Sequence, residues 1–173
     1  MTQLTYNEAF DPYHAAFRFM RLRLGCKLAD RTHIDMFRIL DFYLLFPFRI
    51  QNMSFLSSDR KWRSVSKSYE KLSPYGELPE DVSIFSKMEP FQRAAATSLV
   101  QAGVLSAEAW QNNQIEFLSM KLPSELEARC EELNEGMSDV IEILCSIRER
   151  YPLLGHNGLK ARTGLLEFRY DSL

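Results

Sequence analysis

The sequence predicts a mainly α-helical single domain that spans residues 1–173 and contains a long C-terminal helix. Three observations lead to this prediction. Apolar residues recur at spacings of three and four over several segments, which is the period of a helix face. Asp, Ser, Pro and Gly residues stand where such segments would begin and end. The length of 173 residues and the hydrophobic fraction of 46% are those of one ordinary globular domain.

The first two predicted helices lie in the N-terminal third of the chain. Asp11 followed by a proline is typical of a helix start, and Gly25 is the predicted stop. Asp30 is the predicted start of the second helix, whose residues 39–46 are apolar on nearly every side. Such a helix is expected in the centre of a domain. Pro47 ends it, because the residue before a proline is disfavoured in the helical region.

The third predicted helix begins at Ser58 and carries many basic residues. Four of them are candidates for a contact with DNA phosphates: Arg60, Lys61, Arg63 and Lys67. Trp62 and Tyr69 lie among them, and aromatic side chains beside basic ones are typical of proteins that hold single-stranded nucleic acid. The same spacing also fits the buried face of an amphipathic helix, and we favour this second interpretation.

Residues 79–118 predict two short helices and a hairpin. Pro90 divides the helices, and residues 104–105 and 115–118 have the pattern of two strands joined by a polar turn. A helix followed by such a hairpin is a winged-helix-like arrangement, so a DNA-binding transcriptional regulator acting as a dimer is the alternative function. The helix offers few side chains that read bases, namely Gln92, Arg93 and Gln101. We therefore favour a packing or protein-docking role for this element.

The long C-terminal helix is predicted over residues 126–151. Apolar residues recur there at spacings of four and three, the geometry of a helix that packs along a partner helix. We name these apolar residues the seam; they are Leu126, Cys130, Leu133, Met137, Val140, Leu144, Ile147 and Tyr151. One helix of this length would extend roughly 39 Å, with Gly136 as a site for a bend. Burial within the chain and docking of a partner both fit the seam, and the length beyond the expected domain diameter leaves room for a partner.

Charge is unevenly distributed along the chain. Residues 11–71 contain twelve Lys or Arg and six Asp or Glu, whereas residues 72–150 contain six and fourteen. The net charge of −2 argues against a strongly basic nucleic-acid-binding protein. The asymmetry fits a molecule with one basic and one acidic side, although solvated faces with a chance bias are an equal alternative.

The cysteines and the apolar segments indicate the compartment. Cys26, Cys130 and Cys145 form no CxxC pair and have no metal-ligand spacing, and an odd number without a framework suits a reducing cytoplasm. We expect Cys130 and Cys145 to be small buried residues. The first ten residues hold no apolar signal core, and the densest apolar stretch, 36–50, is too short to cross a membrane. The sequence therefore predicts a soluble cytoplasmic protein without a membrane contact.

No catalytic or metal site follows from the sequence. The three histidines have no second ligand at metal spacing, and the seven glycines form no phosphate-binding loop. No Ser or Cys has an identifiable base. Asp35 and Asp41 each lie one turn from Arg38, so neutralisation by this arginine is favoured over acid–base catalysis. We predict that the chain is not an enzyme and holds no cofactor and no metal.

Residues 30–47 resemble the signature of a bacterial family. The core of this segment, RILDFYLLFP, is similar to that of the small middle component of ABC three-component conflict systems, the group that includes the Lamassu defence operons. Residues 90–118 add a compatible helix and hairpin, and the remainder adds a compatible length. The matched polar residues are Arg31, Asp35, Arg38 and Asp41. We expect at least part of this set to form ion pairs that fix the central helix.

The resemblance implies an accessory subunit rather than an enzyme. Such subunits assemble with an ABC ATPase similar to structural-maintenance-of-chromosomes (SMC) proteins and with an effector, often a nuclease, that damages DNA when phage or plasmid DNA is sensed. The middle component would dock on the ATPase heads, help to hold the effector inactive, and meet DNA only through the complex. The residues assigned to partner binding are Arg31, Arg38, Phe46, Phe48, Leu126, Leu133, Met137, Val140 and Leu144.

Overall fold

Helices make up most of the structure and confirm the predicted mainly α class. The computed structural model describes residues 7–74, 76–119 and 121–169. The α-helices are α1 (Pro12–Cys26), α2 (Ile34–Leu45), α3 (Trp62–Ser68), α4 (Asp81–Gln101), α5 (Ala107–Gln111), α6 (Ser124–Glu135), α7 (Ser138–Arg150) and α8 (Leu159–Thr163). Short 3-10 segments at Pro47–Asn52, Ser57–Asp59 and Glu70–Leu72 flank α3, and strands β1 (Thr32–His33) and β2 (Gln114–Ile115) form a small antiparallel pair.

Helix α2 lies in the centre of the core, as its apolar sequence predicted. Every residue of this helix except Asp35 is buried. Helices α1, α4 and α7 pack around it. Aromatic rings fill the contacts: Phe37 meets Phe19 of α1 edge to face at 4.8 Å, and Phe42 meets Phe85 of α4 at 5.9 Å. The core therefore consists of one aromatic helix enclosed by three others.

The N-terminal helix begins as predicted but does not end at Gly25. The Asp11 carboxylate accepts a hydrogen bond from the Tyr13 backbone N–H at 2.8 Å, and α1 then continues to Cys26. Lys27 ends the helix in the left-handed conformation, with φ of 49°. Gly25 serves a different purpose, since a Cβ at this position would lie 2.8 Å from Cγ2 of Ile141. Glycine here permits the close approach of α1 and α7.

The second helix begins later than predicted and ends where predicted. Residues 32 and 33 form β1 instead of a first helical turn, because they pair with β2. The helix then starts at Ile34, and the His33 imidazole Nδ1 accepts a hydrogen bond from the Asp35 backbone N–H at 3.1 Å. It ends at Leu45, two residues before Pro47. Pairing with a distant segment thus overrides the local start signal at Asp30.

The two helices predicted on either side of Pro90 are a single helix, so this division was wrong. Helix α4 runs from Asp81 to Gln101 with the proline inside it. A proline removes one backbone donor and bends a helix. Buried residues on one face, among them Phe85, Met88 and Leu99, continue from one side of the proline to the other. Packing of this face against α1 and α2 stabilises both halves as one element.

The hairpin predicted at 104–118 differs from the structure in its pairing. The proposed turn contains helix α5, which the Ser106 hydroxyl caps by accepting from the Ala109 backbone N–H at 3.2 Å. Strand β2 pairs with β1, far away in sequence. The local pairing consists of one bridge, Leu105 with Phe117, among the residues that the structure describes. The winged-helix-like hairpin is therefore replaced by a short helix between two weakly paired segments.

The long C-terminal helix was predicted wrongly, because the segment folds as two helices. Gly136 follows the end of α6, and Met137 leaves the helical region with φ of −132° and ψ of 35°. Glycine is a weak helix former, and buried Asn134 ties the end of α6 to α1 by bonding the Arg21 backbone carbonyl at 2.9 Å. The twelve residues of α6 extend only about 18 Å. The length of this segment therefore no longer indicates that a partner packs along it.

The last helix is short, and the cysteines differ from the prediction. Helix α8 ends at Thr163, where Gly164 adopts φ of 66°. Cys26 and Cys145 form a disulfide that joins α1 to α7. Cys130 is buried and free, as expected. The expectation that the chain has no disulfide framework was therefore wrong, and the cysteines no longer support a reducing compartment.

Candidate interaction surfaces

Arg38 lies in the interior rather than on a docking surface. Its side chain is 1% exposed, and its guanidinium stacks 4.4 Å from the ring centroid of Phe85. Nε donates to Oε1 of Gln92 at 2.9 Å, and Nη1 donates to Oδ1 of Asp35 at 3.2 Å. Burial lowers the pKa of Arg38, although Glu89 and Asp35 oppose this effect by favouring the charged form. The prediction that Arg38 neutralises a carboxylate on its own helix is confirmed for Asp35.

Asp41 is neutralised by a different helix. The Arg18 side chain of α1 donates from Nε to Oδ1 at 2.6 Å and from Nη2 to Oδ2 at 3.1 Å. Gln92 of α4 also donates to Oδ2, at 2.8 Å. Arg18, Arg38, Asp41 and Gln92, which we name the buried polar cluster, thus connect α1, α2 and α4. Both carboxylate oxygens of Asp41 are occupied, so the cluster fixes the core and leaves no oxygen of this group for a substrate.

Four of the predicted partner-binding residues belong to the core. Phe46, Phe48, Val140 and Leu144 are each less than 5% exposed. The two phenylalanines contact each other edge to face at 6.1 Å. Phe46 and Phe48 therefore belong to the core and offer no docking surface. The reason is that the 3-10 segment after α2 folds back beneath α3 instead of projecting into solvent.

The remaining predicted partner-binding residues reach the surface. Leu126, Leu133 and Met137 are half-buried, and Leu126 and Met137 pack against the core. Leu133 lines a groove of about 530 Å³ between α1 and α6, together with Phe17 and Tyr13. Tyr13 is 85% exposed, the largest value among the bulky apolar side chains of the described residues. Of these three seam residues, Leu133 lines this groove and the other two do not.

Arg31 is exposed and already has partners within the chain. Its Nε donates to Oε2 of Glu116 at 3.1 Å, and both of its terminal nitrogens bond to Glu108. The hydrogen bond to Glu108 is the main cause that raises the pKa of Arg31. These pairs connect the segment before β1 to α5 and to the residue after β2. A partner that uses Arg31 would have to share it with two carboxylates.

The predicted DNA-contact residues lie together on one exposed surface. Arg60, Lys61, Arg63, Lys67 and the neighbouring Lys71 are all exposed, and we name them the basic face. The aromatic residues of this segment point the other way. Trp62 is 6% exposed and packs 6.0 Å from Phe55, and the Tyr69 hydroxyl donates to the Asp139 carboxylate at 2.6 Å. The favoured interpretation of this helix as amphipathic is confirmed.

The helix of the proposed winged-helix element is poorly disposed for reading bases. Gln92 is completely buried, and Arg93 donates to the Glu89 carboxylate at 2.8 Å while its guanidinium lies 5.9 Å from the Trp110 ring centroid. The hydrogen bond from Arg93 is the main cause that lowers the pKa of Glu89. Two of the three side chains considered for base readout are therefore engaged within the chain.

Sequence reasoning missed two other polar contacts that hold distant segments together. Asp59 is buried and accepts hydrogen bonds from Arg150 Nη2 at 2.6 Å and from the Tyr151 hydroxyl at 2.7 Å. Arg21 donates to the Asn134 side chain at 3.0 Å. A signal existed for the second pair, since Arg21 and Asn134 both interrupt apolar helical faces. No local pattern connects residue 59 with 150 and 151.

A family model matches residues 4–171 and is described as the ABC-three component (ABC-3C) system Middle Component 5. The chain belongs to this family. Neither the curated proteins nor the solved structures that were compared contain a match. The resemblance of residues 30–47 to middle components of such systems is thus confirmed, and it extends over nearly the whole chain.

In the part of the ABC-3C chain that the structure describes, neither a metal-binding cluster nor a membrane-spanning helix is found. No group of three or more His, Cys, Asp or Glu side chains there is placed to hold a metal ion. None of the described helices combines the length and the apolar character needed to cross a bilayer. What the middle component offers instead is a groove beside Tyr13 and a basic face on α3.

Proposed function

We propose that this middle component is a non-enzymatic accessory subunit of a bacterial antiphage or antiplasmid defence complex of the Lamassu type. In this role it acts in the cytoplasm, docks on an SMC-like ABC ATPase and helps to control an effector nuclease. The observation that carries the proposal is the family match over residues 4–171, since the family is defined as one component of a multi-protein system.

The distribution of polar groups supports a binding role rather than catalysis. Buried charged and polar side chains such as Arg18, Asp41 and Asp59 are engaged with one another or with neighbouring groups. Catalytic groups are typically found in a cleft with shifted pKa values and room for a substrate. Here the ionisable groups converge most strongly in the buried polar cluster, where Arg18 and Gln92 bind both carboxylate oxygens of Asp41.

The groove between α1 and α6 is the surface that fits a protein partner best. Its rim carries Tyr13, and tyrosine is among the residues that contribute most to protein–protein binding. A bulky aromatic side chain that is 85% exposed gains a large apolar contact when a partner covers it. We therefore assign the ATPase contact to this groove, which Leu133 lines, and to Leu126 and Met137 as the other accessible residues of the seam.

Co-purification tests this proposal directly. The chain is co-expressed with the ABC ATPase encoded in the same system, and the complex is isolated through a tag on the ATPase. We expect the wild type to remain bound through size-exclusion chromatography and the Tyr13→Asp variant to be lost. Leu154→Asp serves as the matched control, because Leu154 is 44% exposed and lies beside a different pocket, lined by His33 and Lys160.

Two results would overturn the proposal. One is failure of the wild-type chain to associate with the ATPase when both are folded. The other is tight, sequence-specific binding of duplex DNA by the isolated chain at nanomolar concentration in about 150 mM salt, which is the behaviour of a transcriptional regulator. Equal loss of the Tyr13→Asp and Leu154→Asp variants would refute the assignment of the groove alone.

A further inference from the structure

The cations of the basic face are not matched by carboxylates. In the described part of the chain, seven arginines outside the basic face lie within 4.0 Å of an acidic partner, whereas Arg21, Arg148 and Arg162 bond to neutral groups. The seven are Arg18, Arg31, Arg38, Arg49, Arg93, Arg129 and Arg150. No ion pair joins any member of the basic face to a carboxylate among the described residues. Asp59 is bound by Arg150, whereas Glu70 accepts at 3.0 Å from the Gln51 side chain, a neutral donor that does not compensate its charge. The Arg63 guanidinium lies 5.6 Å from the Phe55 ring centroid. The basic face therefore retains an excess of positive charge that an external anion can meet.

The spacing of these cations forms a stripe. Arg63 and Lys67 lie one turn apart on α3, Arg60 precedes this helix, and Lys71 lies in the 3-10 segment that follows it. Exposed cations thus follow one another from the start of α3 to the segment beyond its end. A run of this kind can contact several successive phosphates of a duplex, which rise by about 3.4 Å each along one strand.

One exposed hydroxyl lies between the cations, and the scaffold beneath them is fixed. Ser64 is exposed on this segment, and serine hydroxyls commonly donate to phosphate oxygens, whereas the Ser68 hydroxyl donates to the Val65 carbonyl at 2.6 Å. Ser66 is buried; its hydroxyl donates to the Pro47 carbonyl at 2.8 Å and accepts from the Gln51 backbone N–H at 2.9 Å. Together with buried Trp62, this contact anchors α3 to the core. The stripe is therefore held in position before a ligand arrives.

The composition of the surface favours a nucleic-acid backbone over a protein partner. The cores of protein–protein interfaces are enriched in aromatic residues and depleted in lysine. The basic face has three lysines and no exposed aromatic side chain, and Leu72, 41% exposed, is the bulky apolar residue next to it. The turned-in positions of Trp62 and Tyr69 also remove the stacking platforms that single strands require.

We propose that the basic face binds the phosphate backbone of duplex DNA without reading its sequence. The contact is electrostatic, so it weakens steeply with salt, and the chain alone binds at micromolar rather than nanomolar concentration. In a complex, such a weak contact adds to whatever other DNA contacts are present by raising the effective concentration. The inference does not rest on the ATPase partner, because it concerns the isolated chain.

Fluorescence anisotropy of the purified full-length chain with labelled duplexes of about 20 base pairs, over about 50 to 200 mM salt, tests this inference. Two unrelated sequences are used. We expect equal affinity for both and a slope of log K against log salt between about −3 and −5. The triple variant Lys61→Gln, Arg63→Gln, Lys67→Gln should bind at least about tenfold more weakly at the lowest salt, with a slope smaller in magnitude by about three.

The matched control removes the same charge elsewhere. Lys27, Lys87 and Lys121 are exposed, and their triple Gln variant should bind like the wild type. A single Ser64→Glu variant gives a second test that changes the helix less and should also weaken binding. Equal binding by the wild type and the triple variant of the basic face would overturn the inference. So would absence of binding at low salt, or binding of a polyglutamate peptide as tightly as of a duplex of equal charge.

Discussion

The buried polar cluster and the basic face use arginine in opposite ways. In the cluster, Arg18 and Arg38 are almost fully buried. The Arg18 guanidinium bonds to the Asp41 carboxylate, and the Arg38 guanidinium bonds to the Asp35 carboxylate and to the Gln92 side chain. On the basic face, five cations are exposed and no carboxylate of the described residues neutralises them. Charge that is paired inside the core determines which helices meet. Charge that is left unpaired at the surface is available to another molecule.

The energetic consequence differs for the two regions. A buried ion is stable only while its partner compensates for lost hydration, so removing one partner leaves a large penalty. An exposed cation keeps its water, so its removal changes folding little and affects mainly long-range attraction. Substitutions in the two regions should therefore separate into those that alter stability and those that alter binding.

The largest expected effect is that of Asp41→Asn. Loss of the carboxylate charge leaves Arg18 buried without its counter-ion, which should lower the free energy of unfolding by about 3–5 kcal/mol. Urea denaturation followed by circular dichroism measures this change. Glu132→Gln is the matched control, since it breaks an exposed pair with Arg129 and should shift stability by less than about 0.5 kcal/mol. Similar effects for both variants would show that the cluster does not fix the core.

The disulfide between Cys26 and Cys145 should have the next largest effect. It joins positions 119 residues apart, so it restricts the unfolded chain strongly. Replacing both cysteines by serine should lower the free energy of unfolding by about 2–4 kcal/mol. A reducing agent should destabilise the wild type by a similar amount and leave the double variant unchanged. Detection of three free thiols in the denatured, unreduced protein would contradict the presence of this bond.

Local sequence signals predicted the helix class and the central position of α2, because these depend on neighbouring residues. The run of apolar residues at 39–46 can be buried on all sides only inside the core, and Pro47 ends the helix by backbone sterics. The prediction of one long seam helix was wrong because the break depends on a residue that is distant in the sequence. The seam's period of three and four continues through Gly136, yet the break there is stabilised by Asn134, whose partner Arg21 lies more than a hundred residues away.

Contacts within the candidate sites were predictable from the sequence only where the residues involved are close together in the chain. The basic face was found in the sequence, because its members are close together in the chain and their exposure follows from the amphipathic pattern. The partner of Asp41 was not, since the sequence places Arg38 one turn away whereas the fold brings Arg18 from another helix. The disulfide was missed because nothing local to Cys26 or Cys145 indicates that Gly25 lets their helices approach closely.

Asp59 is intermediate between the buried polar cluster and the basic face, because this buried carboxylate has a partly exposed arginine partner. Burial opposes ionisation, but hydrogen bonds from Arg150 and Tyr151 outweigh it and lower the pKa of Asp59 from its ordinary value of 3.8. The charged form therefore stabilises the fold above about pH 4, and this contribution is lost as the pH falls through the lowered value. Asp59→Asn should cost about 1–2 kcal/mol at pH 7. Urea midpoints measured across pH should differ less between the Asp59→Asn variant and the wild type below about pH 4 than at pH 7. A difference between the two midpoints that grows in acid would contradict the lowered pKa of Asp59.

The smallest expected effect on stability is that of the basic face. The triple variant Lys61→Gln, Arg63→Gln, Lys67→Gln should unfold within about 0.5 kcal/mol of the wild type, because exposed groups without an ion-pair partner contribute little to the folded state. Since the like charges repel one another, the sign should be neutral or slightly stabilising, most clearly at low salt. Thermal unfolding at low and high salt measures both. A loss as large as that of Asp41→Asn would mean that these cations stabilise the fold, and the contrast between the two regions would no longer hold.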